Sequence, residues 1–109
     1  MGWTVEILND AVEAELNALP ADVRAKFSWI VRLIEEFGPQ MVREPYVKPL
    51  EGKLWEMRMK GRDGIARAVY IAARGQRLVV LHAFVKKTQR TPRGALELAA
   101  KRAREGGLL

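Results

Sequence analysis

The chain of 109 residues contains no cysteine and a single histidine. The first absence removes disulfides, thiolate metal sites and thiol nucleophiles together. With His82 alone and no close acidic pair in the basic half, the usual donor sets for zinc or calcium are missing too, so no metal or other cofactor is expected. No apolar run approaches the roughly 18 residues of a membrane span. The N-terminal MGWTVEILND lacks a basic region followed by a long apolar stretch, and a cytoplasmic protein with no membrane partner is therefore expected. The glycines fall at turns and helix ends, not in a phosphate-cradling loop. Ser28 has no His or Asp at a spacing that suggests a hydrolase triad. No repeat or low-complexity segment occurs.

What remains is a chain that is 49% apolar and long enough for one core, so residues 1–109 form a single domain. Its charge is divided unevenly. Met1 to Glu44 carries a formal −4 and Pro45 to Leu109 a formal +10, within a total of +6. A basic half on so small a domain points to a polyanion, usually nucleic acid, because neutralising phosphate releases counterions. The alternative is an acidic partner protein covering the same surface.

Hydrophobic periodicity supplies the element order. Trp3 to Leu8 alternates as a short strand. Asn9 and Asp10 end it and offer a cap for a helix through about Ala18, with Val12, Leu16 and Leu19 at helical spacing. From Pro20 to Phe37 the residues Val23, Phe27, Ile30, Ile34 and Phe37 form an amphipathic stripe that Gly38 and Pro39 stop, and the two helices are expected to form an antiparallel hairpin. Gln40 to Gly52 has no sustained period and reads as a connecting loop. Leu54 to Lys60 then alternates: Trp55, Met57 and Met59 face one way, while Glu56, Arg58 and Lys60 face an open side. Ile65 to Ala73 sets Arg67, Val69 and Ile71 against Ala66, Ala68, Tyr70 and Ala72. Leu78 to Val85 is apolar on both faces and should lie inside the sheet. These three strands make an antiparallel meander. Thr91 offers a capping hydroxyl and Pro92 a first helical residue for a last helix to about Arg104, stopped by Gly106 and Gly107. The fold class is α+β: strand, helix hairpin, three-stranded meander, helix.

Chemistry centres on the meander. Arg58 and Arg67 on adjacent strands, with Lys86 or Lys87 at the end of the third, would converge on a groove bounded by residues 86–91. Guanidinium forks bind phosphate bidentately, and fixed cations stabilise the extra negative charge of a phosphoryl transition state. The bland alternative pairs Arg58 with Glu56 or Glu51 and leaves Arg67 solvated on an open face. His82, inside an apolar strand, reads as a packed residue with one hydrogen bond. Trp29, Trp55 and Tyr70 are candidates for base stacking, although Trp55 alternates with two methionines as a core residue would.

The run KPLEGKLWEMRMKGRDGIARAVY, followed by LVVLHAFVKKTQRTPRGALELAAKRA, resembles the RelE/HigB superfamily of type II toxin–antitoxin toxins, in its phage-related HigB-like branch. The likeness is strongest over Lys48 to Arg102. It implies a RelE-like fold and a metal-independent endoribonuclease that cleaves mRNA on the ribosome, the 2′-hydroxyl attacking the adjacent phosphate. It assigns Arg58, Arg67, Lys86 and Lys87 to catalysis, and Lys53, Lys60, Arg62, Arg90 and Arg93 to RNA or ribosome contacts. Glu56 stands where some relatives carry lysine, which implies that it orients Arg58. Relatives often place a tyrosine or histidine near the C-terminal segment, but TQRTPRGALELAAKRA has neither. The general acid is therefore open among Lys86, Lys87 and the 2′-hydroxyl network.

The resemblance also implies a small helix-turn-helix antitoxin, with operator DNA bound only through the toxin–antitoxin complex. The alternatives are a gyrase-inhibiting relative of the same fold and a non-catalytic nucleic-acid-binding or interaction domain. With Arg67 and Lys87 on the open face, Arg67→Ala and Lys87→Ala should each relieve growth arrest on expression without loss of folded protein.

Overall fold

The computed structural model describes residues 2–42, 46–86 and 91–109. A five-stranded sheet runs through the centre: β1 (Thr4–Ile7), β2 (Val47–Pro49), β3 (Leu54–Gly61), β4 (Gly64–Ala73) and β5 (Arg77–Lys86), in the order β1-β5-β4-β3-β2. The β3-β4-β5 meander is antiparallel as expected, and β1 joins β5 in parallel. The segment expected to be a loop instead forms a 3-10 turn, Pro39–Met41, and the short strand β2, antiparallel to β3. A three-residue strand ending at proline is too brief to declare a period-2 pattern in sequence.

Helices α1 (Asp10–Asn17) and α2 (Ala21–Phe37) cover one face. The Asn9 side chain accepts a hydrogen bond from the Val12 N–H at 3.1 Å, which satisfies one of the free amides of α1. Gly38, at φ +87°, ends α2 in a conformation that side chains disfavour. The expected hairpin differs in its packing: α1 rests on β5 and β1, and α2 on β3 and β1. Val12, Leu16, Val23, Ile30 and Ile34 meet Met57, Met59, Ala66, Ala68, Leu78 and Val80 in the larger core. Phe37, the last residue of the apolar stripe, is exposed.

Helix α3 (Arg93–Glu105) covers the other face. Its small inward residues Ala99 and Ala103 let it approach Leu54, Val69, Ile71, Val79 and Leu81 closely. The molecule is thus three layers, and the sheet face that carries Glu56, Arg58 and Arg67 is not fully open. The alternation in β3 was right, but alternation cannot say whether a later helix lies over the polar side.

A β-bulge at Val69/Tyr70 leaves Leu81 without a facing residue. Beyond Val80, β5 has no β1 partner, and side chains take over its outward backbone groups. Arg102 of α3 donates to the Leu81 carbonyl at 2.9 Å, and the Glu15 carboxylate of α1 accepts from the Ala83 N–H at 3.1 Å. The two side chains also pair with each other through both guanidinium Nη atoms at 3.0 Å. His82 stacks on Phe84 and its Nδ1 lies 2.9 Å from Glu15 Oε1, the packed role read from sequence. Burial alone would raise the Glu15 carboxyl, but hydrogen bonds from Arg102, His82 and the Ala83 amide outweigh it and hold the group below its usual range.

A carboxylate depressed on folding contributes stability that is complete above its unfolded value, about pH 4.3, and is lost as pH falls through the folded value. Urea unfolding should therefore show Glu15→Gln less stable than the parent by about 1–3 kcal/mol at pH 7. The gap should narrow below about pH 4.

Candidate functional site

Register brings the two predicted arginines together, since Arg58 on β3 is directly opposite Arg67 on β4. Residues facing each other across antiparallel strands project to the same side, so two guanidinium groups start from adjacent points of one face. Their surroundings differ. Arg58 is half-buried at the outer edge of the sheet, where its backbone N–H donates to the Tyr46 carbonyl at 2.8 Å. Arg67 is 1% exposed, contrary to the expected open face.

The cover over Arg67 is built from Glu56, itself 0% exposed. Arg67 Nη1 donates to Glu56 Oε1. The other carboxylate oxygen accepts from the Thr91 hydroxyl at 2.5 Å, and Lys48 Nζ of β2 lies 3.8 Å from Oε1. Two expectations are corrected here. Glu56 holds Arg67, Thr91 and Lys48, where the resemblance implied that it orients Arg58. The Thr91 hydroxyl donates to Glu56, and its oxygen does not cap α3, which begins from Pro92 with no side-chain cap. Donating to a carboxylate does not by itself use up the lone pairs that a cap needs, so it is the direction of the side chain, turned toward the buried Glu56 carboxylate, that takes its oxygen away from the helix start.

The remaining candidates separate into groups. Lys60 stands across from Ile65 and, with Arg58, lines a cleft at the outer edge of β3. Lys86 closes β5 with its backbone paired to Ile65. Lys87 and Arg90 lie outside the described residues. Arg62 is exposed at the β3-β4 turn, and its backbone N–H donates to Asp22 Oδ2 at 2.6 Å, which holds the Asp22 carboxyl below its usual range. Gly61 allows this approach, because a Cβ there would lie 2.6 Å from Val23 Cγ2. Lys53 sits in the turn before β3, at the far end of that strand from Lys60 and Arg62. Arg93 is engaged by Glu51 at 2.5 Å and Glu97 at 3.7 Å.

Sequence reasoning did not single out Lys26, Tyr46 or Lys48 as part of this region, and it gave Thr91, at the border of the expected groove, only a capping role. Lys48 could be found only by recognising β2, whose register puts it opposite Glu56. Of the aromatic candidates, Tyr70 is buried and its hydroxyl is pushed up by that burial, whereas Trp29 and Trp55 are exposed. Among the described residues, no three His, Asp or Glu side chains come together as a metal site, and no helix is long and apolar enough to cross a membrane.

The arrangement can hold a phosphate against Arg58 and Lys60 at the rim, beside a buried cluster in which Arg67 and Lys48 together outweigh the one negative charge of Glu56. Comparison with known proteins gives the family of the chain. The family described as "Phage derived protein Gp49-like (DUF891)" matches residues 14–104. The chain belongs to the Gp49-like family. It is thereby a member of the RelE/HigB-like toxins. A Gp49-like fold of this kind also aligns with a chain of the crystal structure of the archaeal RelE-RelB complex from Pyrococcus horikoshii OT3. The TM-score is 0.57 at 23% identity, over 78% of this chain and 96% of that one. No curated protein matches this Gp49-like chain.

Burial changes the expected behaviour of one variant. Arg67→Ala leaves Glu56 charged without its partner in the interior and should lower the free energy of unfolding by about 3–5 kcal/mol. Its growth-arrest defect will then accompany loss of folded protein. The double variant Arg67→Met/Glu56→Met removes both charges and should recover most of that stability in urea titrations. If Arg67→Ala unfolds at the same urea concentration as the parent, the pair does not hold the interior as described.

Proposed function

We propose that this Gp49-like protein is the toxin of a toxin–antitoxin pair and acts as a metal-independent endoribonuclease on ribosome-bound mRNA. The observation that carries the reading is the Arg58–Arg67 register, with Lys48 and Lys60 on the flanking positions and one buried carboxylate fixing the inner arginine. Such a site is suited to in-line transesterification. The ribose O2′ attacks phosphorus, the P–O5′ bond breaks, and a 2′,3′-cyclic phosphate and a 5′-hydroxyl result. The 2′-hydroxyl proton leaves to a base and the departing O5′ takes one from an acid. Arg58 stabilises the charge building on the non-bridging oxygens, which fixed donors do without reorganisation. Glu56 is a positioning residue that holds Arg67 beneath it.

Lys86 and Lys87 are the proposed cations on the third side, and Arg90 a further RNA contact. The paired state of Arg93, and the distance of Lys53 from the cleft along β3, favour Lys60 and Arg62 over them as RNA contacts. A neutralising antitoxin, of helix-turn-helix type, would lay acidic groups over these cations, and operator DNA would be bound through it. An antitoxin partner is in keeping with the toxin–antitoxin complex to which the fold is similar.

The test is expression followed by primer extension on a translated message. Codon-phased stops should accompany growth arrest, and Arg58→Ala should reduce them about a hundredfold, the order expected for loss of one transition-state donor. Growth arrest with a DNA-damage response and intact messages would overturn the nuclease in favour of the gyrase-directed alternative.

A further inference from the structure

The cleft at the outer edge of β3 has a feature that phosphate binding alone does not require. It holds about 330 Å³ and is lined by Lys26 of α2, Tyr46, Arg58 and Lys60 of β3, and Ile65 of β4. At its α2 wall, Lys26 Nζ lies 5.0 Å over the Trp29 ring and 6.0 Å from the Tyr46 ring centroid. The two rings meet edge to face at 5.2 Å and 76°. Trp29 nonetheless remains 41% exposed, immediately before Ile30, which is fully buried. Its indole is therefore held in one orientation by Tyr46 and Lys26 while part of its surface stays open to solvent. Among the described residues, Lys26, Arg58 and Lys60 form no ion pair, whereas Lys48, Arg67, Arg77, Arg93 and Arg102 do.

An oriented aromatic surface beside three uncompensated cations is the composition of a single-stranded nucleic-acid subsite. Stacking accepts any base, and cations track the backbone. The volume lies at the small end of the range for ligand sites and suits one nucleotide, not a duplex. We infer that this cleft and the Trp29 ring that adjoins it bind a nucleotide neighbouring the scissile phosphate on the same RNA strand, its phosphate in the cleft on Lys26 and Lys60 and its base outside the lining, on the open part of Trp29. Arg58 is shared between the two positions, so the strand passes over the edge of β3 from the α3 side to the α2 side. The inference rests on the RNA-cleaving reading and adds to it a path for the substrate and a position read by stacking.

The test uses the full chain and a labelled 2′-O-methyl oligoribonucleotide of about ten residues, since single-strand sites span roughly this length. Lacking the attacking hydroxyl, it cannot be cut, so the binding result stands apart from whether messages are cleaved. By fluorescence anisotropy, Trp29→Ala should weaken binding about tenfold, and Trp29→Phe should restore most of it. Both variants should melt within a few degrees of the parent, because the side chain is half exposed. A single abasic position moved along the oligonucleotide should weaken parent binding by a similar factor at one site and leave Trp29→Ala binding unaffected there. Equal binding by parent and Trp29→Ala, or the same abasic loss in both, overturns the subsite. On translating ribosomes, a photoreactive amino acid at position 29 should crosslink to message, and capture of ribosomal RNA alone overturns the same-strand assignment. If instead Trp29-dependent binding is seen and messages stay intact, the subsite stands and the nuclease reading falls.

Discussion

The ion pair between Glu56 and Arg67 is the constraint around which the basic face is arranged. Two arginines directly opposite each other on adjacent strands repel, and a fully buried guanidinium is costly without a counter-charge. One carboxylate answers both difficulties. Placed two residues before Arg58 on the same side of β3, Glu56 neutralises the inner arginine and leaves the outer one to solvent. Its second oxygen takes the Thr91 hydroxyl, so the lead-in to α3 is tied to the middle of the sheet by the same group. Replacing the pair by apolar side chains would be compatible with folding, which points to geometry as the reason for its presence.

A second polar tie acts at the opposite border of the meander. Where β1 stops short, Glu15 from one helical layer and Arg102 from the other meet around the rim of β5 and complete its hydrogen bonds. Buried backbone groups are rarely left unsatisfied, and here the end of β1 at Ile7 creates the need at Leu81 and Ala83 that these two side chains meet. The cationic cleft and this tie lie on opposite borders of the meander. Substitutions at Glu15 or Arg102 should thus report on stability while leaving the cleft lining intact.

Much of this was legible in the sequence because it depends on local rules. Alternation in Leu54–Lys60 and Ile65–Ala73 separates the faces correctly, and Asn9 and Gly38 mark helix ends through their own side-chain and backbone chemistry. The facing of Arg58 and Arg67 also followed from a short hairpin between two alternating strands. What failed were matters decided by tertiary packing. Nothing in the pattern of β3 shows that α3 will pack on β4 and β5 and bring Thr91 of its lead-in, 35 positions along the chain, onto Glu56, which is buried and not a solvated charge. Thr91 has the ordinary form of a cap, and only the position of Glu56 redirects its hydroxyl. Lys26 and Tyr46 belong to separate elements without a shared motif, so their meeting at Trp29 is visible only in three dimensions. The family likeness implied an orienting role for Glu56 toward Arg58, whereas its carboxylate engages Arg67.

The borders of the sheet carry a last consequence. β1 has four residues and β2 three, the latter closing on Pro49, which has no N–H to offer. A foreign strand laid along either margin would complete few hydrogen bonds, and along β2 it would also meet the charge of Lys48. Of the longer strands β4 is paired along both sides, the end of β3 beyond β2 carries Arg58 and Lys60, and the end of β5 beyond β1 is taken up by Glu15 and Arg102, so a molecule rich in β-structure offers few free backbone groups to its own copies.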